Sequence, residues 1–210
     1  MKVFLASRNV KKLAEMQRIL AEAIADHGGS EIDVLGLDDV PAYDEPVEDQ
    51  PTFAGNALLK ARAGLAATGL PSVADDSGLC VDALNGMPGV LSARWSGKPK
   101  SDQRNNALLL DQLADVPDER RGAHFTCVIA FCTPAGPDDE SRELVVEGRM
   151  EGRVIRETRG SGGFGYDVLF EAVEYPGRTT AELEPADKDA ISHRGRALRE
   201  IAPQIAAALR

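Results

Sequence analysis

Two adjacent carboxylates, a hydroxyl and a glycine follow one another in Asp75-Asp76-Ser77-Gly78, directly after the apolar pair Val73 and Ala74. The apolar residues read as a buried strand, and the polar ones are expected to end it abruptly. In an open α/β sheet, ligands sit beyond the carboxyl ends of the strands. Neighbouring side chains of a strand face opposite ways, so the two acids are expected to do different work. Paired acids in such a place hold a hard cation such as Mg²⁺ or take a proton from water. Gly78 permits a sharp turn or the close approach of a ligand. The plainer reading is a solvated turn, since Asp, Ser and Gly all form turns.

Two further stretches carry cations where helix physics disfavours them. Lys11 and Lys12 fall in the first turn of a helical pattern that follows Ser7 and Asn9, although cations are favoured at the opposite end. A strand, a polar turn and a helix start also aim backbone N–H groups at an anion. A phosphate-like group is therefore expected there, with a solvated lysine pair as the alternative. Near the C-terminus, Ser192 is a candidate N-cap that puts His193 and Arg194 in a first turn, with Lys188 just upstream. The same argument brings an anion to that place.

A glycine-rich loop comes between them, Arg159-Gly160-Ser161-Gly162-Gly163-Phe164-Gly165-Tyr166-Asp167. Gly160, Gly162 and Gly165 match the letters of the dinucleotide fingerprint G-x-G-x-x-G, but that fingerprint must open a helix. Here Tyr166-Asp167-Val168-Leu169-Phe170 is strand-like, so a dinucleotide site is rejected. The loop remains a cradle for a base or a phosphate, with Phe164 and Tyr166 as its stacking face.

These residues need a scaffold of strands and helices. Residues 2–7 read as a strand. Residues 11–25 read as a helix with Leu13, Met16, Ile19, Leu20, Ala23 and Ile24 on one face, ended by Gly28-Gly29. Residues 32–37 form a second strand, and 38–51 an acidic, proline-rich extended loop. Thr52 opens a helix over about 53–68 that buries Phe53, Ala57, Leu58, Ala61 and Leu65 and stops at Gly69 and Pro71. Residues 85–99 are a loop carrying Arg94 and Trp95, and 102–114 a helix rich in leucine. Residues 125–133, 143–147 and 154–155 read as strands, with a hairpin turn at 134–141. A smaller lobe at roughly 85–155 is expected from this antiparallel part. A helix over about 192–208 ends the pattern, and Pro203 is expected to kink or restart it.

Composition narrows the function classes. The 210 residues are 43% hydrophobic and 28% charged, as in a soluble globular protein with a substantial core. No apolar run reaches the length of a membrane span, and the apolar start is too short for a secretory signal. Cys80, Cys127 and Cys132 are an odd, sparse set that suits buried thiols in a reducing cytoplasm. A net charge of −10 excludes a nucleic-acid coat, which needs clustered basic residues. A small polyanion can still bind where a few cations converge with a metal ion.

Six stretches occur in the order found in one family: Ser7-Arg8-Asn9-Val10-Lys11-Lys12-Leu13-Ala14-Glu15, Thr52-Phe53-Ala54-Gly55-Asn56-Ala57, Ala74-Asp75-Asp76-Ser77-Gly78-Leu79, Pro88-Gly89-Val90-Leu91-Ser92-Ala93-Arg94-Trp95, Gly162-Gly163-Phe164-Gly165-Tyr166-Asp167 and Ser192-His193-Arg194-Gly195. From about residue 3 to 200 the chain resembles the inosine triphosphate pyrophosphatase family, also called Ham1-like proteins. The resemblance implies one α/β domain over 1–210, two-lobed, with a long mixed central sheet flanked by helices and the active-site cleft between the lobes. It implies a Mg²⁺-dependent homodimer that hydrolyses ITP, dITP and XTP to the monophosphate and pyrophosphate.

Carried over by position, the resemblance has Ser7, Arg8, Asn9, Val10, Lys11 and Lys12 bind the triphosphate. Asp76 is the implied proton acceptor and a metal ligand, and Ser77 touches substrate. Phe164, Gly165, Tyr166, Asp167, Lys188, His193 and Arg194 surround the nucleotide. The chain departs from the pattern at Ser7-Arg8, where Thr-Gly is common, and at Lys11, where glycine is common. The family's acidic Glu-Thr-Gly loop corresponds to Glu48-Asp49-Gln50. Glu48 is thus the second metal candidate, with Asp44, Glu45 and Asp49 as competitors. A pyrophosphatase for pyrimidine or modified nucleotides and a non-catalytic nucleotide-binding module are the alternative functions.

Overall fold

The computed structural model describes residues 2–7, 13–14, 16–19, 33–134 and 142–209. Its strands are β1 (Lys2–Leu5), β2 (Asp33–Leu35), β3 (Ser72–Val81), β4 (Gly122–Cys132), β5 (Glu143–Val154) and β6 (Phe170–Ala172). They form one six-stranded mixed sheet in the order β2-β1-β3-β4-β5-β6. β1 runs parallel to both neighbours, with Val3 opposite Val34 and Leu5 opposite Val73. β5 and β6 are antiparallel, with Arg153 opposite Glu171. The α-helices with defined bounds among the described residues are α1 (Phe53–Thr68), α2 (Asp102–Gln112), α3 (Pro185–Ile191) and α4 (His193–Ala208), and residues 13–14 and 16–19 are helical as well.

The chain divides into two compact units. The first comprises Met1–Asp76, Cys127–Gly148 and Arg194–Arg210; the second comprises Ser77–Thr126 and Arg149–His193. In the first unit β1 and the start of β3 are buried on both faces, as central parallel strands are. The period-two alternation sends Val3, Leu5, Val73, Cys127, Ile129 and Phe131 to one core cluster, together with Leu198, Ile201 and Ile205 of α4. It sends Phe4, Ala74, Val128, Ala130 and Cys132 to the other, together with Ala57 and Ala61 of α1. The second unit has its own core, built on Leu79, Val81, Leu109, Leu113, Phe125, Met150, Leu169 and Phe170.

Helix α1 lies where its caps put it. The Thr52 hydroxyl accepts from the Gly55 N–H at 3.0 Å, and Gly69 closes the helix at φ 68°. Of the expected buried stripe, Ala57 and Ala61 are buried, while Phe53, Leu58 and Leu65 pack partly buried against the same core.

Four expectations need correction. β3 does not end at the acids but runs through Asp75-Asp76-Ser77-Gly78 to Val81, so Gly78 makes no turn. It is β1 that stops, its last pairing being Leu5 with Val73. The acids therefore lie just past the carboxyl end of their neighbour. The segments 143–147 and 154–155 are one strand, because Gly152 sits where a side chain would strike the Glu171 carbonyl on β6. Helix α4 passes through Pro203 without interruption. The short α3, which carries Lys188, was not anticipated, since seven residues hold too little periodicity to register. The second unit is drawn from two separate segments, Ser77–Thr126 and Arg149–His193. The helix end at Gly28-Gly29 and most of the hairpin turn lie outside the described residues.

Candidate active site

In the first unit the chemistry gathers around β3. Asp75 and Asp76 are 1% and 7% exposed, and burying carboxylates is costly unless partners compensate. Each acid has its own set, as expected of neighbours on a strand. Asp76 Oδ2 accepts from Asn56 Nδ2 of α1 at 2.9 Å. Asp75 Oδ2 lies 3.7 Å from the Arg194 Nε, at the start of α4, and 4.0 Å from the Cys127 Sγ. Lys60, one helical turn beyond Asn56 on α1, donates to Glu48 Oε1 at 2.7 Å. Burial pulls the Lys60 pKa down, but the charges of Asp75, Glu48 and Asp76 and the Glu48 hydrogen bond outweigh it. The ammonium is held above its ordinary value and stays charged. Three carboxylates thus converge electrostatically on one cation.

The second unit presents the glycine-rich loop. Asp167 is its hub: Oδ2 accepts from Lys188 Nζ at 2.6 Å and from the Phe164 N–H at 2.9 Å, while Oδ1 accepts from the Thr180 hydroxyl at 2.8 Å. The same ammonium lies 5.4 Å from the centre of the Phe164 ring. His193 stacks on Phe125, with ring centres 5.0 Å apart and planes inclined by 14°. Gly165 is held by α2, to which its N–H donates at Asp102 and its carbonyl accepts at Asn106.

The structure gives several of the expected site residues partners within the protein. Tyr166 is not part of a stacking face: it is 4% exposed in the second core, and its hydroxyl donates to the Ser92 carbonyl at 2.9 Å. Burial, and then the charge of Asp102, push its phenol pKa up. The loop is also a poor source of backbone donors. The N–H groups of Gly162, Phe164, Gly165 and Asp167 already donate to Ala181, Asp167, Asp102 and Phe164. Arg194 is a buried partner of Asp75, a structural role that the sequence reading did not give it. Glu48, expected at a metal, is bonded to Lys60. Arg8, Asn9, Val10, Lys11 and Lys12 lie outside the described residues; Ser7, partly exposed, follows β1. The three cysteines are free and buried, as expected, and burial raises Cys132 to about 11.

Lys60 and Asn56 escaped the sequence reading as working residues. A lysine and an asparagine spaced four apart behind a Thr N-cap were the available signal, since that spacing aligns them on one helix face. As for a metal, no set of three or more His, Cys, Asp and Glu gathers among the described residues. Mg²⁺ does not require one, because it keeps several waters and uses one or two carboxylates. The oxygens of Asp76 and Glu48 are donors of the right chemistry.

Against known proteins, the Ham1 family model matches residues 3–204. The chain belongs to the Ham1 family. It is 56% identical over 211 residues to a dITP/XTP pyrophosphatase of Corynebacterium efficiens, covering 98% of both chains. It is 58% identical over 206 residues to a dITP/XTP pyrophosphatase of Nocardia farcinica, covering 98% of this chain and 95% of that one. Among solved structures, a nucleoside-triphosphatase / dITP/XTP pyrophosphatase from Mycobacterium abscessus superposes with a TM-score of 0.74 at 52% identity, over 96% of this chain and 98% of that one. A HAM1 protein from Coxiella burnetii superposes with a TM-score of 0.80 at 40% identity, over 99% of each. In this Ham1 chain no described helix is long and apolar enough to cross a membrane.

The charge cluster has a pH signature. Because the folded pKa of Lys60 is raised, its contribution to stability is fully present below the ordinary value of 10.5 and is lost as pH rises through the folded value. Urea unfolding of wild type and Lys60→Met, followed from neutral pH upward, is expected to show a stability gap that narrows beyond pH 10.5. A gap that stays constant into strong alkali contradicts the pairing.

Proposed function

We propose that this protein hydrolyses deaminated purine nucleoside triphosphates, ITP, dITP and XTP, to the monophosphate and pyrophosphate. The observation that carries the reading is the buried pair Asp75 and Asp76 with its separate partners, in a chain more than half identical to named dITP/XTP pyrophosphatases. In this reaction water adds to the α-phosphorus, the bond to the bridging oxygen breaks, and pyrophosphate leaves with the electron pair. Asp76 takes the proton of the water. Asn56 fixes the plane of its carboxylate, and Asp75 balances Arg194. Asp76 and Glu48 would hold Mg²⁺, which when bound supplies charge neutralisation at the phosphates and a more acidic water. Lys60 keeps Glu48 in place and offsets the repulsion among the acids.

Base choice belongs to the second unit. Hypoxanthine and xanthine carry an oxygen at the 6-position, which a donor recognises and adenine does not satisfy. With the loop's backbone donors largely committed, Lys188 is the favoured side chain, beside a Phe164 ring available for stacking. Guanine shares the 6-oxygen, so it must be refused at its 2-amino group. The same reading takes the enzyme to be a cytoplasmic homodimer, on family likeness.

Pyrophosphate release across ITP, XTP, GTP, ATP and dTTP, with Mg²⁺ and with chelator, tests the proposal. Turnover of ITP and XTP well above the rest, abolished by chelator and restored by Mg²⁺, is expected. Binding without pyrophosphate release would favour the regulatory module instead, and preference for dTTP the pyrimidine alternative. Asp76→Asn is expected to lower kcat by about 10²-fold or more, the low end for losing a general base. Asp75→Asn is expected to retain more activity and to lose more stability, because it leaves Arg194 buried beside a neutral side chain. Equal losses of kcat would show that the pair is divided wrongly.

A further inference from the structure

Helix α2 holds the glycine-rich loop at a single residue from two sides. Asp102 and Asn106 are four apart and share one helix face. Asp102 Oδ2 accepts from the Gly165 N–H at 2.8 Å, and Asn106 Nδ2 donates to the Gly165 carbonyl at 3.0 Å. Both polar groups of one peptide residue are thus gripped by one helix. The grip falls at a pliant spot, since Gly163 and Gly165 have φ of 71° and 63°, where only glycine is comfortable. Packing does not hold the loop here. A cavity of about 480 Å³ lies between α2 and the loop, lined by Asp102, Asn106, Leu110, Gly162, Phe164 and Gly165 among others. The helix itself is well fixed: Leu109 and Leu113 are fully buried in the second core. Asn105 accepts from the Ser96 N–H and donates to the Ser92 carbonyl, which also takes the Tyr166 hydroxyl.

Asn106 adds an independent sign. It is 6% exposed, and its Oδ1 meets no hydrogen-bond partner among the described residues. A buried acceptor left unsatisfied is unfavourable to stability, so an apolar side chain would suit folding at least as well. What the amide contributes is the bond from its other end to Gly165.

We propose that Asp102 and Asn106 are positioning residues that set base specificity, by fixing Gly165 and with it the neighbouring Phe164 ring and its Lys188 cation. The proposal rests on the reading that this loop receives the base. ITP and GTP differ only at the 2-position, so refusing guanine requires a loop that does not give way to an added amino group. The clamp supplies that stiffness; the reacting phosphorus belongs to other residues. Loosening the clamp therefore changes discrimination more than it changes turnover.

The test uses Asp102→Ala, Asn106→Leu and the control Ser101→Ala. Ser101 caps the same helix by accepting from the Arg104 N–H, and its hydroxyl makes no hydrogen bond to the loop among the described residues. The kcat/KM ratio of ITP to GTP is expected to fall by about tenfold or more in the first two variants, with kcat for ITP changed much less. It should stay unchanged in Ser101→Ala, and Asp102→Asn, which keeps an acceptor oxygen, should restore it. An unchanged ratio in Asp102→Ala and Asn106→Leu, or an equal fall in Ser101→Ala, overturns the proposal. Hydrogen exchange of the peptide spanning residues 160–167 separates this outcome from failure of the proposed activity. Faster exchange in the two clamp variants than in Ser101→Ala is expected whether or not ITP is a substrate. Equal exchange in all three contradicts the clamp.

Discussion

Two adjacent carboxylates inside a sheet constrain the first unit more than any apolar contact does. Removing a carboxylate from water costs several kcal/mol even after relaxation, and β3 buries two in succession. Each needs its own compensation, because a strand sends them to opposite faces. Helix α1 answers Asp76 with Asn56 and brings Lys60 within reach of the electrostatic field of both acids. Helix α4 answers Asp75 with Arg194. The placement of two helices on the sheet is thus tied to two side chains of one strand. The charges around these acids are thus fixed in advance by the fold, the arrangement that stabilises charge without reorganisation.

The second unit works by a different economy. Its loop has few donors to offer, since it uses its own N–H groups to hold its shape. Asp167 joins the Phe164 backbone to the Lys188 ammonium, so a turn of chain and a side chain from α3 are tied through one carboxylate. What such a loop presents is a fixed form, with the Phe164 ring and the Lys188 ammonium beside it.

Much of this was legible in the sequence, for stated reasons. Helix α1 was readable because Thr52, an alanine-rich stripe and Gly69 all point the same way. The acids stood out in the sequence because carboxylates are rarely buried without partners, and the structure does bury both. Their place in the strand was misread, since Asp, Ser and Gly signal turns and only sheet pairing overrides that preference. Gly152 inside β5 misled in the same way. Tyr166 was assigned to substrate because aromatic residues beside glycines suggest stacking, whereas its hydroxyl finds a carbonyl inside the core. Lys60 went unnoticed because its spacing from Asn56 aligns the two on one helix face without saying what that face meets; its meaning comes from Glu48, Asp75 and Asp76, which only the fold brings near.

The central claim is that a water, deprotonated at Asp76, attacks the α-phosphorus. Hydrolysis of ITP in oxygen-18 water, with mass analysis of both products from a single turnover, tests it most directly. The account predicts the label in inosine monophosphate and none in pyrophosphate. Label in pyrophosphate, or inosine diphosphate and orthophosphate as first products, would place the attack on another phosphorus and contradict it.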